Sequence, residues 1–343
     1  MDGRMISQYE IIRQLRFPMI VLVTFAHSYG RVEDGFALLA SDWNTYEFLK
    51  LLVSQTLVKV AMPVFFIMSG YLFFANVDKW DVATYKKKIL RRVKTLLMPY
   101  LIWNLLMAVK LKTFSMSMFW AYWNPAGTQI DWFGHEQLMT APANMPLWFL
   151  RDLMVVSLLT PIIYILVRKF GYWLMAVLTV LYLSGVCAFI PGLSAYAVFF
   201  FTFGALFSIR RTDLIEIFKR FEWPAYGLSV ILAISMLLTY HTSVFSSLML
   251  CFRITGSIAV FCLASRILST TSRRLPSLVC DSTYFIYLAH YVFFFSFIDT
   301  AFFAIIGTSI PALSIHYLLS PLLKAILLCI IYIVYRKLIQ PHI

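Results

Sequence analysis

The sequence predicts an all-α, polytopic integral membrane protein with about ten transmembrane helices and both termini in the cytoplasm. Three observations carry this expectation. Of 343 residues, 61% are hydrophobic and 13% are charged, where a soluble domain carries about 25% charged residues, and the mean hydropathy is +0.80. The apolar residues are gathered into runs of bilayer length. Lysine and arginine are concentrated in every second connection between those runs. An aromatic content of 17% suits the belts that anchor helices at the membrane–water interface.

A spanning helix needs about 20 mostly apolar residues. Such runs fall near 12–30, 52–75, 96–112, 147–167, 172–190, 194–209, 224–241, 247–267, 283–306 and 313–335. The connection 76–95 holds Lys79, Lys86, Lys87, Lys88, Arg91, Arg92 and Lys94. Arg168–Lys169 follows the fourth run, Arg210, Arg211, Lys219 and Arg220 the sixth, Arg266, Arg273 and Arg274 the eighth, and Arg336 and Lys337 the tenth. The alternate connections are nearly free of such residues, and the first, 31–48, sets Glu33, Asp34, Asp42 and Glu47 against Arg31. The positive-inside rule then places both termini in the cytoplasm. The net charge of +13 belongs to loops beside a membrane, so membrane lipids are the expected partners and nucleic acid is not.

No repeat of 20–50 residues and no Gly/Ser linker divides the chain, so a single membrane domain, 1–343, is expected. The N-terminal MDGRMISQYEIIRQ contains acids and lacks a small-residue cleavage pattern, which predicts a retained first helix. Cys187, Cys251, Cys262, Cys280 and Cys329 form no CxxC pair and read as small buried hydrophobes. The connection 113–146 carries Trp120, Tyr122, Trp123, Asn124, Trp132, His135 and Glu136. It reads either as an interfacial aromatic belt or as a cover for a glycan, whose sugar rings pack on aromatic faces.

Ionisable groups inside the runs are the candidates for chemistry, because they are costly in a bilayer and usually face a cavity or a partner. Arg16 and His27 are eleven residues apart in the first run, about 16 Å of helical rise and roughly three turns. They share a face, Arg16 toward the cytoplasm and His27 in the outer half. Arg16 reads as a snorkelling residue or as the inner end of a polar tunnel. His27 reads as a satisfied helix-end histidine or as a general base, whose ordinary pKa suits neutral pH. Lys59, Arg151, Asp152, Arg253, His290, Asp299 and Lys324 add to the set. The expected topology puts Arg151, Asp152, Arg253 and Asp299 in the outer half with His27, and His290 and Ser69 in the inner half. Structural ion pairs between helices are the plainer reading of each. The basic run 86–94, KKKILRRVK, reads as a topology signal that also binds anionic lipid, or as a site for a phosphorylated ligand, to which Arg offers a fork and Lys a point charge.

Several patterns, taken together and in order, resemble the integral-membrane acyltransferase 3 family. These are Arg16 and His27 in the first run, FFIMSGYL at 65–72, the basic segment leading into LMPYLIW at 97–103, LWFLRDL at 147–153, and STYFIYLAH at 282–290. The resemblance covers nearly the whole chain. It implies a multi-pass enzyme of the cytoplasmic (inner) membrane that moves an acyl group, commonly acetyl, from cytoplasmic acyl-CoA to a hydroxyl of an envelope or exported glycan or a lipid-linked sugar. On this resemblance His27 matches the essential histidine and Arg16 its paired arginine. The basic segment matches an Arg-x-x-Arg motif implicated in recognising CoA. Counted back from Pro99, its arginines fall at 92 and 95, and position 95 is Thr95. Arg92 is therefore carried over, with Arg91 and Lys94 as substitutes one residue early, and Ser69 is added on the acyl-CoA side.

The expected mechanism has acyl-CoA docked on the cytoplasmic side, its phosphates at Arg92 and neighbours and its arm passing Arg16 toward His27. His27 is the general base, Arg151 or Arg253 stabilises the oxyanion, and Asp152 or Asp299 orients His27. No bound cofactor and no metal are expected: His290 and His316 stand alone, without Glu or Cys at ligand spacing, and neither a Walker sequence nor a GxSxG elbow is present. No esterase-like domain follows the tenth run here, so a relay through one is expected to use another protein. A transporter or flippase for an anionic solute is the alternative, disfavoured by the lack of visible inverted repeats, and a non-catalytic scaffold of a glycan-assembly complex is the third reading. The acceptor, the acyl chain and the oligomeric state are not specified.

Overall fold

The computed structural model describes residues 7–28, 43–77, 79–112, 128–130, 136–138, 142–184, 192–293 and 296–338. Arg31, Glu33, Asp34, Asp42, Cys187 and the aromatic residues Trp120, Tyr122, Trp123, Trp132 and His135 lie outside them. Among the described residues every apolar run contains helix. In chain order these are α1 Gln8–Ser28, α2 Thr45–Phe74 and α3 Val82–Leu111, α4 Trp148–Leu158, α5 Thr160–Phe170, α6 Tyr172–Leu183, α7 Ala195–Arg210, α8 Leu214–Lys219, α9 Glu222–Leu238, α10 Val244–Thr270, α11 Ser277–Ala289, α12 Ser296–Ile306 and α13 Ile310–Leu338. One antiparallel pair, β1 Thr128–Ile130 and β2 Glu136–Leu138, is set with Gln129 opposite Gln137.

Four of the described helices, α2, α3, α10 and α13, are long and apolar enough to cross a membrane. A fifth crossing is made if Met145–Leu158 and Thr160–Phe170, bent by 64° at their junction, form one broken span. Pro161 sits at the start of α5, where its missing N–H and fixed φ favour a new helix over the continuation of α4. The remaining apolar helices, α6, α7, α9 and α12, are shorter.

Two expected boundaries are corrected. The third run does not begin near 96. Helix starts at Val82, behind Asp81, whose side chain caps it by accepting from the Thr84 N–H at 2.8 Å. That bond holds the Asp81 carboxyl below the usual carboxylate range. The basic segment is thus part of the helix that runs on into the third apolar stretch, as its i, i+3, i+4 spacing of Lys and Arg suits. The ninth run, 283–306, is not one helix: α11 begins six residues earlier and stops at Ala289. His290 ends it, its ring Nδ1 lying 2.8 Å from the Tyr287 carbonyl and 3.1 Å from that of Ile286, so a side chain satisfies carbonyls of the last turn.

The chain divides into two compact units, 1–63 with 215–343, and Val64–Leu214. In the first, α1 packs against α10, α11, α13 and the first part of α2, and α9 packs along α10. Its apolar contacts include Val60 with Leu232, Met236 and Phe252, and Phe25 with Val58 and Tyr317. Ser54 joins helices by donating to the Phe25 carbonyl (3.0 Å) and bonding the Tyr317 hydroxyl (2.7 Å). In the second unit the end of α2 crosses α7 backbone to backbone. A Cβ on Gly70 would lie 1.9 Å from the Phe201 carbonyl oxygen, and one on Gly204 would lie 1.9 Å from that of Ile67. Small residues permit such an approach, and this crossing accounts for the glycine in FFIMSGYL.

Candidate functional site

Helices α1 and α11 run parallel, side by side, and this sets the site. Near their starts the Gln14 side chain donates to the carbonyl of Leu275, two residues before α11 (3.2 Å), and accepts from the Leu275 N–H (2.8 Å). Further along, the Arg16 guanidinium is within electrostatic range of Asp281. At the far end the His27 and His290 rings stand with centroids 5.4 Å apart, and the Tyr291 ring is 5.7 Å from His27. The sequence alone places His290 in the opposite membrane half from His27. That expectation is corrected: because α11 starts at 277 and ends at 289, His290 reaches the level of His27.

Carbonyl oxygens only accept, so the proton that bonds His290 to Ile286 and Tyr287 is on Nδ1. The lone pair of the neutral ring is therefore on Nε2. That atom is buried and has no hydrogen-bond partner among the described residues.

Cations complete this site. Lys59 lies within electrostatic range of His27, and Arg253 within range of Lys59. Lys59 is carried on an irregular part of α2, a π turn over Lys50–Thr56 followed by a 3₁₀ turn over Leu57–Val60. Such irregular turns re-aim side chains and are common at functional sites. Its Nζ donates to Gln55 at 3.3 Å. Gly256 brings α10 alongside, since a Cβ there would meet Val60 Cγ1 at 2.5 Å, and Arg253 is nearly one turn before it. Among the described residues no carboxylate pairs with His27, Lys59 or His290. A site with two imidazoles, a phenol and two cations can move a proton and hold a developing negative charge.

The other expected site residues are distributed as follows. Arg92 is half-buried over the Phe73 ring, 5.3 Å from its centroid, while Arg91 and Lys94 are exposed. Lys88, one turn before Arg92, lies over the same ring and donates to the Phe73 carbonyl, capping the end of α2. Lys94 belongs to a π turn, Val93–Leu97, and Thr95 bonds back to the Arg91 carbonyl at 3.0 Å. A π turn inserts one residue into the helical register. This is the size of the offset between Arg91–Lys94 and the positions counted back from Pro99. Ser69 is half-buried beside Gly70.

Arg151 and Asp152 are buried and paired. Arg151 Nε and Nη2 each lie 3.2 Å from Asp152 Oδ1, and Ser194, the cap of α7, donates to Oδ2 at 2.9 Å. Both oxygens of Asp152 are thus engaged without a histidine, and the orienting role expected of it is not the one this geometry gives. Asp299 is likewise corrected. It accepts from Ser320 (2.7 Å) and Lys324 (2.8 Å) and lies 2.9 Å from His316 Nε2. His316 therefore does not stand alone: its acid is seventeen residues earlier, on α12. Sequence reasoning missed Asp281 and Tyr291 as neighbours of Arg16 and His27. The usable signal was STYFIYLAH itself, which lies between those two residues. No group of three His, Cys, Asp or Glu side chains able to hold a metal occurs among the described residues.

The fold and these side chains define a helical membrane protein with an internal histidine–cation site. The acyltransferase 3 family model, described as an acyltransferase domain, matches residues 9–335, and the chain belongs to that family. The chain is also similar to the succinoglycan biosynthesis protein ExoH of Rhizobium meliloti (strain 1021), with 24% identity over 178 residues. The aligned stretch covers 50% of this chain and 45% of that relative. No solved structure matches the chain.

Proposed function

We propose that this chain is an acyl-CoA-dependent membrane acyltransferase, moving an acyl group, acetyl in the first instance, from cytoplasmic acyl-CoA to a hydroxyl of a cell-envelope or exported glycan. The observation that carries the reading is His27 beside His290, Tyr291 and Lys59 at the end of α1, in a chain of an acyltransferase family. A relative named for succinoglycan biosynthesis supports a polysaccharide acceptor. Ten helical crossings of the cytoplasmic membrane, with both termini inside, are part of the proposal.

In this mechanism the acceptor hydroxyl gives its proton to His27 as its oxygen bonds the acyl carbon. Lys59 and Arg253 stabilise the tetrahedral oxyanion, a role that preorganised charge fills well in a dry site. The C–S bond then breaks, and the departing CoA thiolate takes the proton from His27. In this proposal Arg92, with Lys88, Arg91 and Lys94, binds the CoA phosphates, Ser69 is assigned to acyl-CoA binding, and Arg16 with Asp281 guides the arm of CoA. The test is to incubate membranes containing the protein with radiolabelled acetyl-CoA or succinyl-CoA and exopolysaccharide. Alkali-labile acyl label on the glycan is expected, and absence of label from glycan and lipid fractions with every donor would overturn the proposal.

A further inference from the structure

We propose that His290 is the positioning residue of His27, its Nε2 accepting the N–H of the His27 ring so that the other His27 nitrogen points at the acceptor hydroxyl. The inference rests on the acyl-transfer reading of His27. A histidine base works best when a second group fixes its tautomer and ring orientation and stabilises the imidazolium it becomes. The carboxylates expected in that role, Asp152 and Asp299, are engaged by Arg151 and Ser194 and by His316, Ser320 and Lys324.

His290 meets the requirements for that role. Its Nδ1–H is committed to the Ile286 and Tyr287 carbonyls at 3.1 and 2.8 Å, so Nε2 can only accept while the ring is neutral. Nε2 is buried and has no partner among the described residues, so burying it carries a cost that a hydrogen bond would remove. The His27 ring is the near neighbour, 5.4 Å between centroids, a separation that would leave about 3 Å, the length of a hydrogen bond, between ring nitrogens turned toward each other. Catalytic hydrogen bonds are often unaligned before substrate is bound, and a turn of the His27 ring would bring its N–H onto Nε2. The resulting series is peptide carbonyl, His290, His27, acceptor hydroxyl. One proton moves in each turnover, from the hydroxyl to His27 and from His27 to the thiolate, while the proton between His27 and His290 stays in place.

The test uses the full-length protein in nanodiscs, comparing wild type, His290→Ala and His290→Gln, whose side-chain oxygen can take the place of Nε2. Transfer kinetics are read across pH, and the His27 tautomer is read by NMR of protein carrying ¹⁵N-histidine. In His290→Ala, kcat is expected to fall ~100-fold or more, with KM for acyl-CoA unchanged, a shifted pH profile and mixed His27 tautomers. His290→Gln is expected to recover part of kcat and a single tautomer. A kcat within twofold of wild type in His290→Ala, or a His27 tautomer indifferent to His290, overturns the inference. If His290→Ala does not fold, a His290→Gln with neither recovered rate nor single tautomer overturns it. Wild type that transfers no acyl group sinks the acyl-transfer reading instead, and the tautomer measurement still judges the histidine pair.

Discussion

Replacing Asp299 with Asn leaves Lys324 and His316 without their anion. Both are largely buried, and Asp299 itself is 31% exposed. Breaking a fully buried pair costs about 3–5 kcal/mol, and partial exposure lowers this to roughly 1–3 kcal/mol. A lower melting temperature for Asp299→Asn is expected, with partial recovery when Lys324→Met is added, since the second change removes the unpaired cation. Arg92→Ala is expected to raise KM for acyl-CoA about tenfold or more with little change in kcat, because it removes a phosphate contact made equally in ground and transition states. Unchanged KM would remove Arg92 from the donor site. The ionisable residues were visible in the sequence, and most of their partners were not. Depth along a run placed Asp299 near His27 on the outer side, but depth says nothing about azimuth, and on α12 its carboxylate faces the 316–320–324 stripe of α13. Arg151 and Asp152 are neighbours in sequence, yet only the three-dimensional structure shows Ser194 taking the second oxygen.

Helices are held at their crossings by absent side chains. Gly70→Ala would drive a methyl into the Phe201 carbonyl, and backbone cannot retreat as a flexible side chain can. Loss of thermal stability and of protein yield is expected for Gly70→Ala and for Gly204→Ala, each blocking the same crossing. Normal melting of both variants would deny it. Gly256→Leu acts on the candidate site instead, pushing α10 from Val60 and taking Arg253 from Lys59. Transfer is expected to fall while acyl-CoA binding persists, which equilibrium binding and turnover measure side by side. The apolar runs announced where helices lie because hydropathy is additive along the chain. Their ends were harder to read. The ninth run looks continuous in hydropathy, and it breaks because the His290 side chain satisfies carbonyls of its own last turn. The third run begins early because Lys and Arg tolerate helix well, so loss of hydropathy did not mean loss of helix.

At the scale of the whole molecule, charge asymmetry and the number of apolar runs predict ten crossings with cytoplasmic termini, and the described helices include four or five of full spanning length. Helices of 11–17 residues, such as α6, α7, α9 and α12, rise about 16–26 Å, short of the ~30 Å hydrocarbon core. Length alone therefore does not establish their crossings. Single cysteines in a cysteine-free background decide the orientation. Asp34→Cys is expected to react with an impermeant maleimide from outside, and Lys87→Cys only after permeabilisation. Reversed accessibility would invert the proposed topology and put the basic helix α3 out of reach of cytoplasmic acyl-CoA.

The most direct measurement is turnover of radiolabelled acetyl-CoA by purified protein in nanodiscs, wild type beside His27→Ala, with donor binding measured on the same samples. Both proteins are expected to bind donor, and only the wild type to release CoA. Equal release by His27→Ala at matched protein levels would contradict it and leave His27 as a packing residue of α1.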